Sequence, residues 1–126
     1  MIPNFQWHKP DLLATGGKPQ TAQDAQWLID QGFKAVLSLE NLPDSVSDYL
    51  HDKGLTWCLV ELDDVSQMEE PDESSRHRRN TEEALDFISI NLALSRPIFV
   101  HCSAGLNRSV GLVKKFLTKS TILSGY

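Results

Sequence analysis

The chain has 126 residues, a length that suits one domain, and 40% of them are hydrophobic, which is enough for a buried core. Its 17 acidic and 12 basic side chains give a net charge of −5, which argues against generic nucleic-acid binding through a basic surface. The sequence contains no signal peptide and no apolar run that could span a membrane, so we expect a cytoplasmic protein without membrane contact. Two cysteines do not make a disulfide framework, which agrees with a reducing compartment.

The first half of the chain predicts strands that alternate with helices. We expect an irregular arm over residues 1–10, whose Phe5 and Trp7 pack back on the body, and a short strand over 12–14. Thr21 is a suitable N-cap for a helix over 22–31, and Gly32 suits its end. A buried strand over 35–39, a helix over 43–53 and a strand over 55–62 follow.

The second half predicts a polar loop over 63–79, an amphipathic helix over 81–94, a strand over 98–100, a helix over 109–119 and a tail over 120–126. The alternation indicates a single α/β domain over residues 1–126, with a mostly parallel central sheet flanked by helices. Polar groups that follow strand ends share one rim of such a sheet. We therefore expect Glu40, Asp63, Asp64 and Cys102 to lie near one another.

Residues 101–109, which we call the Cys loop, read His-Cys-Ser-Ala-Gly-Leu-Asn-Arg-Ser between the last strand and the last helix. A strand that turns directly into a helix directs backbone N–H groups at one point, and the helix N-terminus adds partial positive charge there. A cysteine in such a place favours its thiolate form, and Arg108 can hold two phosphate oxygens by parallel hydrogen bonds. Ser109 can donate to the sulfur, and Gly105 permits a backbone conformation that strains other residues.

The Cys loop resembles the HCxxGxxRS loop of cysteine-dependent phosphatases, most closely those of the small dual-specificity type. The resemblance extends less specifically over residues 12–117. It implies a dual-specificity phosphatase-like fold, with a C-terminal helical part shorter than in other members. It also implies hydrolysis of phosphomonoesters through a phosphocysteine, with no cofactor and no metal.

The resemblance also implies roles for individual residues. Cys102 is the nucleophile, Ser109 stabilises its thiolate, and His101 is a hydrogen-bonded histidine under the loop. The phosphate is held by Arg108 together with the backbone N–H groups of Ser103, Ala104, Gly105, Leu106 and Asn107.

The general acid of the family is an aspartate on a loop upstream of the Cys loop, and three residues compete for this role. Asp64 fits the family's placement just past a strand and is our first choice. Asp72 is second, because its spacing to Cys102 matches related small phosphatases, and Asp63 is third.

The substrate is open at the level of sequence. Apart from Arg108 the Cys loop contains no lysine or arginine, so its resemblance to phosphoinositide phosphatases is poor. We expect a phosphorylated protein, with phosphotyrosine or dual specificity, and binding of phosphate or sulfate at the loop. A small phosphorylated molecule, an RNA 5′-phosphate, or a slow or non-catalytic phosphoprotein-binding module are the alternatives. The shortened helical part leaves an apolar patch that a second copy of the chain could cover in a homodimer.

Overall fold

The computed structural model of the chain describes residues 2–62 and 71–124, and only the backbone of residues 71–75 and 120–124. The described residues form five strands and four helices that alternate along the chain. In chain order these are β1 (Gln6–Lys9), β2 (Leu13–Gly16), α1 (Ala22–Asp30), β3 (Ala35–Ser38), α2 (Asp44–Asp52), β4 (Thr56–Leu59), α3 (Pro71–Ala93), β5 (Ile98–His101) and α4 (Arg108–Ser124).

The strands form one sheet in the order β1-β2-β5-β3-β4. β5 lies at its centre, parallel to β2 on one side and to β3 on the other, and all four of its residues are buried. β4 is parallel to β3, whereas β1 is antiparallel to β2. The predicted α/β domain with a mostly parallel sheet is therefore confirmed, and the Cys loop begins at the middle of its carboxyl edge.

The sheet separates two hydrophobic layers, because successive side chains of a strand point to opposite faces. Phe99 of β5 and Val36 of β3 pack with Leu28 of α1 in one layer. Val100 of β5 packs with Val113 of α4 in the other layer. The central strand is thus covered on both faces, as a parallel sheet requires.

The expected irregular arm over residues 1–10 is wrong in part, because residues 6–9 form β1. Its four residues are too few and too mixed in character to show a strand pattern, and their pairing with β2 makes the strand. The prediction that Phe5 and Trp7 pack on the body is confirmed. Phe5 lies 4.9 Å from Trp27 between ring centroids, and Trp7 lies 5.0 Å from Phe33.

The expected loop over 63–79 is wrong for residues 71–79, which belong to α3, while residues 63–70 lie outside the described residues. Proline suits the first position of a helix, where its missing N–H costs nothing, and Pro71 occupies that position. The following polar residues form a helix without an apolar face, so periodicity did not indicate it.

The expected tail over 120–126 is also wrong in part, because α4 continues to Ser124. The predicted strand over 55–62 is shorter and ends at Leu59, whereas β2 runs on to Gly16. Within the described part of the chain, every helix is too short or too polar to cross a membrane.

Candidate active site

The thiol of Cys102 lies at the base of the Cys loop, directly after β5, and the residue is only 3% exposed. Its Sγ is 3.3 Å from the Oγ of Ser109, which is fully buried in the first turn of α4. Burial alone would raise the pKa of the Cys102 thiol. Hydrogen bonds from the Ser109 hydroxyl and from the backbone N–H groups of Ser109 and Gly105, together with the charge of Arg108, outweigh burial and lower that pKa. The site therefore favours the thiolate more than the surroundings of an ordinary cysteine do.

The path of the Cys loop depends on Gly105, whose φ is +79°. A side chain here would also meet the neighbouring strand end, because an added Cβ would lie 2.4 Å from the carbonyl carbon of Gly16. Only glycine satisfies both the left-handed backbone and this close approach. The contact fixes the loop against the carboxyl end of β2.

Two further contacts hold the loop from outside. The backbone N–H of Lys18 donates to the carbonyl of Ser103 at 3.0 Å. The Nδ2 of Asn4 donates to the carbonyl of Ala104 at 2.7 Å. The carbonyls of Ser103 and Ala104 thus have hydrogen-bond partners outside the loop.

The guanidinium of Arg108 is held at the rim by two partners. Its Nη1 donates to the carbonyl of Leu62 at 3.0 Å, and its Nη2 to Oε1 of Glu40 at 2.7 Å. The other oxygen of Glu40 contacts Nζ of Lys18 at 2.8 Å. Burial acts to raise the pKa of the Glu40 carboxyl, but hydrogen bonds and charge from Lys18 and Arg108 lower it overall. A guanidinium has five N–H donors, so these contacts leave it donors for a phosphate.

His101 lies under the Cys loop in a chain of hydrogen bonds. Trp57 Nε1 donates to Ser38 Oγ at 2.7 Å, Ser38 Oγ is 2.5 Å from His101 Nε2, and His101 Nδ1 is 3.1 Å from the Cys102 carbonyl. An indole only donates and a carbonyl only accepts. All three contacts are satisfied when Ser38 donates to Nε2 and Nδ1–H donates to the carbonyl of Cys102.

The charge state of His101 agrees with this direction. The side chain is fully buried, and burial is the main reason that its pKa falls from 6.5 to about 4. The imidazole is therefore neutral near pH 7, with one nitrogen as donor and the other as acceptor. The chain of hydrogen bonds fixes the carbonyl of the residue that carries the thiol.

The structure brings together most, but not all, of the residues predicted from the sequence. Cys102, Ser109 and Arg108 surround one point, with Gly105 buried beside them. The exposed residues of the loop are Ser103, Ala104, Leu106 and Asn107.

The three candidate acids are described only in part. Asp63 and Asp64 lie outside the described residues, and only the backbone of Asp72 is described, in the first turn of α3. Leu62, whose carbonyl contacts Arg108, immediately precedes Asp63 in the sequence.

The expectation that Glu40 shares the rim with the Cys loop is confirmed by its contact with Arg108. Sequence reasoning missed Lys18, Ser38 and Trp57. Lys18 follows the end of β2 by two residues, so the rule that placed Glu40 at the rim would also have indicated it. Ser38 and Trp57 reach His101 through strand pairing, and no local pattern marks them.

The class of protein is indicated by a mostly parallel sheet, a cysteine in the loop between the central strand and a helix, and an arginine beside that cysteine. The chain is a member of the cysteine-dependent phosphatase superfamily, of the small dual-specificity type. More specifically, residues 6–124 match the family described as DSP-PTPase phosphatase fused to NAD+ kinase, and the chain belongs to this family.

Solved structures of other phosphatases share the fold. The active form of Tk-PTP is similar with a TM-score of 0.72 at 20% identity, over 95% of this chain and 76% of that one. The core catalytic domain of the PP-IP phosphatase SIW14 from S. cerevisiae is similar with a TM-score of 0.69 at 21% identity, over 90% of this chain and 64% of that one. TpbA from P. aeruginosa is similar with a TM-score of 0.61 at 16% identity, over 86% of this chain and 65% of that one. This chain therefore spans slightly less than two thirds of the SIW14 core and of TpbA.

Proposed function

We propose that the protein hydrolyses phosphomonoesters through a phosphocysteine on Cys102. The observation that carries the proposal is the position of the Cys102 thiol, which lies 3.3 Å from the Ser109 hydroxyl, accepts hydrogen bonds from the backbone N–H groups of Ser109 and Gly105, and lies beside Arg108. A thiolate is the nucleophilic form of cysteine, and the donors that stabilise it here surround the position where a phosphate would bind. The family to which the chain belongs supports this chemistry.

The reaction has two steps. The ester phosphate binds to Arg108 and to the N–H groups of the Cys loop, and the Cys102 thiolate attacks phosphorus. The S–P bond forms while the P–O ester bond breaks, and Asp64 protonates the leaving oxygen. Water, deprotonated by the same aspartate, then attacks the phosphocysteine and releases phosphate, and Ser109 stabilises the departing thiolate.

We propose a phosphorylated protein as the substrate, with phosphotyrosine or dual specificity. Leu106 supports an aryl phosphate, because this apolar side chain is 59% exposed on the Cys loop and could contact a phenol ring. Ser103, Ala104 and Asn107 of the Cys loop are also exposed, which supports contact with a protein segment.

Hydrolysis of para-nitrophenyl phosphate tests the proposal. Cys102→Ser should lower kcat at least about a thousandfold, because a serine hydroxyl is not ionised at neutral pH. The same variant should still bind inorganic phosphate in calorimetry. Cys58→Ser is the matched control, since that thiol lies in β4 with a pKa raised mainly by burial, and it should retain activity. Turnover that survives Cys102→Ser would refute covalent catalysis, and phosphate binding by a wild-type protein without turnover would indicate a binding module.

The acid is tested by Asp63→Asn, Asp64→Asn and Asp72→Asn. Loss of a general acid costs roughly 10²–10⁴ in rate, and the loss is smaller for substrates with good leaving groups. We expect Asp64→Asn to show the largest loss with phenyl phosphate and a smaller one with para-nitrophenyl phosphate. A larger effect of Asp72→Asn or Asp63→Asn would move the role to that residue.

A further inference from the structure

Lys18 and Glu40 form an ion pair across the carboxyl end of the central strand. Lys18 follows β2, Glu40 follows β3, and β5 lies between these two strands. The 2.8 Å contact between Lys18 Nζ and Glu40 Oε2 therefore bridges the sheet edge from which the Cys loop starts. A lysine distant in sequence is thus brought beside the Cys loop.

Lys18 is close to the phosphate-binding group Arg108. Each of these two cations lies within 2.8 Å of an oxygen of the same carboxylate, so their nitrogens are within about 8 Å of each other. The backbone N–H of Lys18 also donates to the carbonyl of Ser103, which fixes the base of the side chain against the Cys loop. The Lys18 ammonium therefore lies close to the place where Arg108 would hold a ligand.

The ammonium group of Lys18 can bind a further group in addition to Glu40. An ammonium has three donors, and among the described contacts Glu40 takes one of them. The Lys18 side chain is 23% exposed, so solvent and ligands can reach it. Lys18 and Arg108 together carry two positive charges, so the single negative charge of Glu40 does not neutralise both of them before a substrate binds.

We propose that Lys18 binds a second anionic group of the substrate, a phosphate or a carboxylate, next to the phosphate that Arg108 holds. This inference rests on the proposed phosphatase function and names its substrate class: phosphomonoesters with a second negative charge a few ångströms from the scissile phosphorus. The Cys loop itself has no lysine, so the second positive charge comes from the segment after β2.

Two aryl phosphates that differ by one charge test the proposal. Phenyl phosphate and meta-carboxyphenyl phosphate are compared by kcat/KM at low salt. We expect the carboxylated substrate to be favoured about tenfold in the wild type, the usual size of a hydrogen bond to a charged group. Lys18→Gln should reduce this ratio to about one, mainly through KM, and Lys18→Arg should restore it. Lys34→Gln is the matched control, because Lys34 is exposed just before β3, at the opposite edge of the sheet.

A ratio near one in the wild type, or an unchanged ratio in Lys18→Gln, would overturn the proposal. Circular dichroism of each variant verifies its fold. A second measurement distinguishes failure of the Lys18 proposal from failure of the proposed phosphatase function. If neither compound is hydrolysed, the phosphatase assignment fails, and the affinities of both compounds for Cys102→Ser, measured by calorimetry, still report on the Lys18 site.

Matched pairs of natural-type substrates identify the source of the second charge. A nucleoside bisphosphate is compared with its monophosphate, and a phosphotyrosine peptide with a neighbouring aspartate is compared with its asparagine form. A Lys18-dependent preference within the nucleotide pair indicates a small polyanionic substrate, and one within the peptide pair indicates an acidic phosphoprotein segment. The absence of such a preference in both pairs counts against the proposal.

Discussion

The two cysteines of the chain lie in opposite electrostatic surroundings. Cys58 is half-buried in β4, where burial and then the charge of Glu83 raise its pKa. Cys102 is more deeply buried, yet hydrogen bonds and a positive charge lower its pKa below the ordinary value. We expect Cys102 to be the more reactive thiol, because hydrogen-bond donors around its sulfur favour the thiolate and only the thiolate is nucleophilic.

Replacement of one donor should therefore change the reactivity of Cys102. We predict that Ser109→Ala raises the pKa of the Cys102 thiol, because the 3.3 Å contact from the hydroxyl is lost. The pH profile of iodoacetamide labelling in a Cys58→Ser background should shift to higher pH, and kcat should fall about tenfold. Ser89→Ala, on the exposed surface of α3, is the control. An unchanged labelling profile would show that the hydroxyl does not stabilise the thiolate.

Residues that act close together in the sequence were predictable, and those that meet through the fold were not. Cys102, Gly105, Arg108 and Ser109 lie within eight positions, so strand-loop-helix geometry alone indicated their convergence. Ser38 contacts His101, and Trp57 contacts Ser38, only because β3 pairs with both β4 and β5. A single sequence without a known strand order carries no information about such pairs.

At the scale of elements, sequence patterns predicted the helices and strands whose position is set by interactions between residues close in the chain. The helix after Thr21 begins where expected, because the Thr21 side chain accepts a hydrogen bond from the backbone N–H of Asp24. β1 was not predicted, because it is held by pairing with β2. Residues 71–80 of α3 were not predicted as helix either, because their sequence has no apolar face. The structure of these two segments therefore could not be predicted from hydrophobic periodicity.

The junction between the Cys loop and β2 gives a prediction about packing. Gly105→Ala should destabilise the protein by about 2–5 kcal/mol, because a Cβ both strains a positive φ and overlaps Gly16. Urea unfolding measures the loss. Gly111→Ala is the matched control: this glycine lies within α4 with nothing near an added Cβ, so the change should stabilise by about 0.5–1 kcal/mol. Equal effects at the two positions would contradict the close contact.

At the scale of the whole molecule, His101 links stability to pH. Burial lowers its pKa from 6.5 to about 4, so the unfolded chain binds this proton at a higher pH than the folded chain does. The folded state is therefore favoured most above pH 6.5, and this contribution is lost as the pH falls towards 4.

We predict that the free energy of unfolding falls by about 2 kcal/mol between pH 7 and pH 5 because of this residue. His101→Asn should lower stability at pH 7 and reduce the difference between the two pH values. His51→Asn, an exposed position in α2, should leave the difference unchanged. Urea unfolding at both pH values provides the measurement, and a wild-type protein equally stable at both would contradict a buried neutral imidazole.

The central place of β5 has a consequence for how the protein is made. β2 and β3 are synthesised first but cannot pair with each other, because the sheet order puts β5 between them. During synthesis β2 and β3 therefore each lack one neighbouring strand until residues 98–101, which form β5, have left the ribosome. Cys102 follows this strand directly, and Gly105, Arg108 and Ser109, which lower the pKa of its thiol, come later still, so the cysteine is activated only after the central strand has been made.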